Sequence, residues 1–279
     1  YVVILDNRGG PIGGQPNWAN GFMPATYSGT LFRPVGDPIL DLRGPQHMTQ
    51  KAQREQLDFL AELNQQHLDA RPGGRELAAR INSYELAYRM QSATPEAVDL
   101  SQETQSTLDM YGVGKEPTDE YGRNCLIARR LVERGVRFIQ LYSGGGHLEE
   151  TWDAHAGIES NHGRHGAEVD QPIAALLTDL EQRSLLDDTL VIWGGEFGRM
   201  PFSEGKDAPG RNHNPYGFSM WFAGGGVKGG MNYGKTDDFG FEAVENKVHL
   251  HDLHATILHI MGLDHELLTY FHQGREESL

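Results

Sequence analysis

Asp153 and His155 stand two apart in "TWDAHAGIESNHGRH", so in extended backbone both side chains point the same way and could share one cation. A carboxylate oxygen and an imidazole nitrogen suit zinc or a similar divalent metal. His162 and His165 follow in the same stretch. On one helical turn they could extend such a site, and otherwise they are surface positions. A second carboxylate, Glu196, lies in "VIWGGEFGRMP", where an apolar run breaks on two glycines. A carboxylate just beyond a buried strand is costly to desolvate unless a cation or hydrogen-bond donors receive it. Glu196 is therefore either a metal ligand or the partner of Arg199 in an ion pair that braces the loop. The nearby "PGRNHNPYG" supplies Arg211 and His213. Together Asp153, His155, Glu196 and His213 form a mixed O/N set for one cation. Arg199 and Arg211 are then available to hold an anionic ester oxygen bidentately.

A further histidine-rich stretch, "HLHDLHATILHIMGLDHE" at 249–266, has the look of a metal cluster but the pattern of a capped helix. Asp252 falls where a cap belongs, Leu253, Ile257, Ile260 and Met261 make an apolar face, and Gly262 ends the run.

The elements that must position these residues are clearest in the second half. "RNCLIARRLVERG" predicts a helix closed by Gly135, and "VRFIQLY" a short strand. Val169, Ile173, Leu176, Leu177 and Leu180 mark one face of a helix that Asp170 would cap, with Pro172 in its first turn. The strand "TLVIWGG" follows. Helix, strand, helix, strand predicts neighbouring parallel strands covered by helices, with ligands at the carboxyl ends of the strands. That rule selects the loops after Tyr142 and after Trp193.

The first half carries less chemistry. Residues 1–48 are rich in Gly and Pro and predict a layer of loops, opened by "YVVI", which reads as a strand entered in mid-protein. Residues 49–120 predict a helical insertion or cap in which Leu77, Ile81, Tyr84 and Tyr88 share a face. "RPGG" at 71–74 and "YGVGKEPTDEYG" at 111–122 are its breaks.

With 279 residues and 38% hydrophobic content, the chain can bury one large core as a single domain. A formal charge of −15 argues against nucleic acid or an anionic membrane surface as partner, because either polyanion is repelled by the field of the whole molecule. No apolar run approaches the roughly 18 residues of a membrane span. The lone Cys125 excludes an intramolecular disulfide and any multi-cysteine metal site.

The motifs "WDAH", "GGEFGRMP", "GRNHNP", "GFSMWFAGGGVKGG" and "HDLHATILHIMGLDH" occur in that order, with "ARINSYELAYRMQ" and "NCLIARRLVERGVRF" before them. In these the chain closely resembles the domain of unknown function 1501 family, a relative of the alkaline phosphatase and sulfatase superfamily. The resemblance implies an α/β fold with an alkaline phosphatase-like core, a mostly parallel sheet flanked by helices, incomplete at the N-terminus. It also implies a metal-dependent hydrolase of phosphate or sulfate esters, in which zinc, calcium or manganese polarises an ester oxygen and activates a nucleophile. Asp153 with His155 matches the middle ligand pair, His213 the last ligand histidine, and Glu196 stands in place of an Asp-His ligand pair. The substrate implied is a small anionic ester, such as a phosphorylated or sulfated saccharide, and the location implied is outside the cytoplasm. The superfamily's opening strand, with its ligand Asp and nucleophile, has no counterpart here, and Cys125 does not match the modified cysteine of sulfatases. The resemblance therefore puts the nucleophile outside these residues and leaves this chain by itself inactive. A member that binds a metal or sugar ester without turnover, and a surface structural protein on the same scaffold, remain as alternatives.

Overall fold

The computed structural model describes residues 1–21, 23, 27–33, 39, 47–70, 75–146, 151–203 and 209–278. The chain is mixed α/β and divides into two compact units, Tyr1–Gly146 and His147–Leu279. The expected break at 71–74 lies outside the described residues.

The first unit is built on β1 (Val2–Ile4), whose three residues are all buried. β2 (Thr30–Phe32) lies parallel to it. The helical stretch comprises α1 (Gln50–Ala70), α2 (Arg75–Val98) and the short α3 (Gln105–Met110). Glu, Gln, Leu, Lys, Arg and Ala dominate α1, all strong helix formers. Thr49 Oγ1 accepts the amide of Ala52 at its start. Arg54 of α1 donates to Glu85 of α2 at 2.8 Å and lies over the Tyr88 ring. The "YGVGKEPTDEYG" break holds as far as Thr118, after which α4 (Asp119–Glu133) begins with two acidic residues in its first turn, where the helix dipole favours them. Gly135, at a φ of 81°, closes α4 as expected. β3 (Ile139–Leu141) then pairs parallel to β1, giving the order β2-β1-β3.

The core of this unit joins sheet to helix through Val2, Ile4, Phe32, Ala97, Ala128 and Leu131. Cys125 is buried on α4, a small core residue whose thiol is pushed up by desolvation. Two arginines of α4 are also buried, and they stay charged at tolerable cost because each is paired. Arg129 meets Glu103 at 2.7 Å and Glu133 at 2.6 Å, while Arg130 pairs with Glu103 and donates to the Ala97 carbonyl at 2.9 Å.

The second unit opens with α5 (Ile158–Gln182). This helix starts twelve residues before the expected cap, so Asp170 is exposed in mid-helix and Pro172 is an interior, buried proline. An interior proline removes one helical hydrogen bond and crowds the carbonyl four residues back. Buried Asn161 and His165, anchored to the preceding loop, hold the first turns in place despite it. β4 (Val191–Trp193), β5 (Gly198–Arg199), β6 (His213–Asn214) and β7 (Trp221–Ala223) follow. β4 pairs antiparallel with β7, and β5 antiparallel with β6. The expected parallel pairing of β4 with β3 is absent among the described residues: β3 pairs with β1, and β4 turns to the later β7. Val169, Ile173 and Leu177 of α5, with Trp152, Trp193 and Trp221, line a cavity of about 400 Å³.

Two short hairpin pairs flank the last helix: β8 (Lys235–Thr236) with β9 (Ala243–Glu245), and β10 (Tyr270–His272) with β11 (Arg275–Glu277). Between them, α6 (Leu250–Ile260) fulfils the reading of a capped helix, with a correction. The N-cap is His249, whose Nδ1 accepts the His251 amide at 3.2 Å. Asp252 is the third helical residue, and its carboxylate reaches back to accept the His249 amide at 2.7 Å. Gly262, at a φ of 78°, ends the run. Asp252→Ala removes half of this reciprocal cap and is expected to lower unfolding free energy by roughly 0.5–2 kcal/mol. Cation binding at the centre described below should be unchanged, which denaturant midpoints and calorimetry on the same sample would check. No described helix is long and apolar enough to cross a membrane.

Candidate metal centre

Two loops of the second unit are laced together backbone to backbone. The first, 151–157, turns tightly: the Asp153 amide donates to Thr151 Oγ1, and the His155 amide to the Asp153 carbonyl. Gly157, in the left-handed region at a φ of 56°, lets the chain enter α5. The second loop reaches it through Arg211, whose amide donates to Ala154 at 2.9 Å, and through Pro209, whose carbonyl accepts from Ile158 at 3.0 Å. Gly210 lies directly against the His155 carbonyl, where a side chain has no room. Beyond it the chain enters β6, and the β5–β6 register sets Arg199 opposite His213. The side chain of Asn214, fully buried, fixes β6 from behind by donating to the carbonyls of Gly240 at 2.9 Å and Phe241 at 3.0 Å.

This lacing brings three side chains to one point. His213 Nε2 is 2.9 Å from Asp153 Oδ1, His155 Nε2 is 3.0 Å from the same oxygen, and the two imidazole nitrogens are 3.1 Å apart. Among the described residues this is the one group of three or more His, Cys, Asp or Glu whose ligand atoms all lie within 4.8 Å. One face of a zinc tetrahedron with bonds of about 2.0–2.1 Å has edges of about 3.3 Å, so the triangle needs to open by only a few tenths of an ångström to receive a cation. Phe197 packs on the His213 ring with centroids 4.4 Å apart and limits its rotation. Both imidazoles are nearly half exposed, at 44% and 45%, so the face opposite the protein is open to a small molecule.

Asp153 Oδ1 also accepts from Arg199 Nη1 at 2.6 Å. Burial raises the carboxyl's pKa, but the hydrogen bonds from His213 and Arg199 outweigh it and hold Asp153 below its ordinary value of 3.8. The carboxylate is thus kept ionised, as a metal ligand must be.

Glu196 does not join this group. Its carboxylate is exposed, and the reason lies in β4, where Ile192 and Trp193 are themselves exposed at 36% and 39%. The strand end is not buried, so nothing forces the carboxylate to find a cation. Arg199 is not its ion-pair partner either, being turned to Asp153 across the ladder. Arg211 donates from Nη1 to the Gly210 carbonyl at 2.8 Å, at the edge of the same loop. His162 and His165 are not surface positions: His162 is half buried and His165 wholly buried on α5. The Asp153–Arg199 pair was not legible beforehand, since it depends on a register between two-residue strands.

The family described as "Protein of unknown function (DUF1501)" matches residues 1–279. The chain belongs to that family. No curated protein and no solved structure matches it. Within this DUF1501 chain the Asp153, His155 and His213 group therefore rests on its own geometry.

Proposed function

We propose that this chain supplies the metal centre of a metal-dependent hydrolase of phosphate or sulfate esters on an alkaline phosphatase-like scaffold, holding one divalent cation on Asp153, His155 and His213. The observation that carries the reading is the meeting of one carboxylate oxygen and two imidazole nitrogens, supplied by residues 58 and 60 positions apart, at a solvent-open face. Three protein ligands with an open fourth position is the pattern of catalytic zinc sites, whereas structural sites are closed by four. The two imidazoles favour zinc over calcium, which takes oxygen ligands. When bound, the cation supplies Lewis-acid polarisation of an ester oxygen and a more acidic bound water.

The chain's own residues do the rest. Arg199 holds Asp153 ionised and oriented, and its guanidinium stands beside the open face, where an anionic ester oxygen would dock. Arg211 lies on the loop that carries His213, with Nη1 on the Gly210 carbonyl, and would be the second cation for an anionic ester. A small phosphate or sulfate ester, including a modified saccharide, satisfies both features. In a chain of formal charge −15, this local pair is what would draw an anion in. Calorimetric titration with zinc tests the centre and should give one ion per chain. Assay of the loaded chain on an aryl phosphate and an aryl sulfate tests where the nucleophile lies. Stoichiometric zinc without turnover is the expected result for these residues by themselves, turnover would put the nucleophile or an activated water among them, and the lack of stoichiometric zinc overturns the centre and the reaction together.

A further inference from the structure

We infer that His165 is a positioning residue for the ligand Asp153, acting through the backbone of Thr151; the inference rests on the metal centre proposed above. His165 is fully buried on α5, and neither the triangle nor the ester reading uses it. Its Nε2 is 3.0 Å from the Thr151 carbonyl and 3.3 Å from Arg164 Nη2, while its Nδ1 is 3.0 Å from Glu168 Oε2.

Each ring nitrogen faces an acceptor, Nε2 the Thr151 carbonyl and Nδ1 the Glu168 carboxylate, so the imidazole is held at both edges and cannot turn without losing a partner. This is the arrangement by which a carboxylate orients an imidazole at metal sites, here moved one step away from the ligands.

What His165 grips is the turn that delivers Asp153. Asn161 donates to the same Thr151 carbonyl at 2.9 Å, filling its second lone pair, and Thr151 Oγ1 accepts the Asp153 amide at 3.0 Å. His162 reaches the Trp152 carbonyl at 3.3 Å, and the Trp152 ring lies against both histidine rings, 5.1 Å from His165 and 5.5 Å from His162. Residues 161, 162 and 165 form one patch on α5, so a rigid helix, not a free loop, sets where Asp153 begins. The carboxylate must meet nitrogens at 2.9 and 3.0 Å, and a shift of Thr151 passes directly to it.

Cobalt(II) titration, read by calorimetry and by the visible absorption of the bound ion, separates this role from mere packing. His165→Phe keeps the ring shape but loses the donor. It is expected to weaken cobalt binding about 10- to 100-fold and to change the spectrum. His165→Gln, which retains an amide donor for the Thr151 carbonyl, should stay within about threefold of wild type and restore the spectrum. Should His165→Phe not fold, Thr151→Val carries the same test, because it removes the oxygen that receives the Asp153 amide and should produce the same loss. A wild-type chain that binds no cobalt overturns the metal centre itself. A wild-type chain that binds, beside a folded His165→Phe or Thr151→Val with unchanged affinity and spectrum, overturns the positioning role alone.

Discussion

Asp153→Asn is expected to cost the chain at least a hundredfold in zinc affinity, about 2.8 kcal/mol at roughly 1.4 kcal/mol per tenfold, while the fold survives. The size follows from the place of Oδ1. It is the vertex that both imidazoles and Arg199 share, so removing its charge weakens the one anionic ligand of the triangle. Asn is nearly isosteric and still accepts a hydrogen bond from Arg199, so packing changes little. The same substitution has a signature without metal. The folded carboxyl is held below its ordinary 3.8, so its stabilising contribution is complete above the unfolded value and disappears as pH falls through the folded one. The stability difference between wild type and Asp153→Asn, from denaturant unfolding, should be constant above about pH 5 and shrink on acidification below 3.8. Zinc affinity within threefold of wild type would leave His155 and His213 as the only ligands and overturn the assignment of Asp153.

The grouping of Asp153, His155 and His213 was more legible in the sequence than the scaffold that carries it. Asp153 and His155 stand two apart, and His213 lies in a Gly/Pro-rich loop able to fold back, and these are local properties. Glu196 was misplaced because the reading assumed a buried strand before it, and burial depends on what packs over β4, which no local pattern carries. The start of α5 was hidden for a related reason. Gly163, Gly166 and Pro172 all lower helix propensity, so the periodic apolar face only becomes evident from Val169 onward. The turns before it are helical because Asn161 and His165 bond the Thr151 carbonyl, a contact between side chains and a distant backbone. Strand partnership failed likewise: β3 and β4 follow each other across one helix, yet β3 pairs with β1 and β4 with β7. Where the signal was a glycine at a helix C-terminus, as at Gly135 and Gly262, the local pattern sufficed, because a left-handed residue ends a helix whatever packs around it, whereas the N-caps expected at Asp170 and Asp252 lie inside their helices.

Gly210→Ala is expected to damage stability and the centre together, more than any other single methyl group on these loops. The added carbon would lie 1.9 Å from the His155 carbonyl oxygen and 2.5 Å from the Ala156 nitrogen, both backbone atoms that no rotamer change can move aside. The loops must then part, and the bonds flanking the contact, Arg211 to Ala154 at 2.9 Å and Ile158 to Pro209 at 3.0 Å, would stretch or break. Overpacking of this kind costs about 1–3 kcal/mol, occasionally more. The consequence for the site is geometric. His155 rides on one loop and His213 follows the other, so the parting pulls their 3.1 Å nitrogen contact open, and zinc affinity should fall at least tenfold. Gly157→Ala is the comparison that isolates the effect. It strains a left-handed residue beside the same loop, at about 1–2 kcal/mol, but meets only the Ser160 hydroxyl at 3.2 Å, a side chain that can turn away. It should lose comparable stability and keep zinc affinity within about threefold. Equal zinc affinity in folded Gly210→Ala and wild type would mean that the loop contact does not hold His155 against His213. The β5–β6 ladder and the Asp153–Arg199 pair would then have to hold the triangle without it.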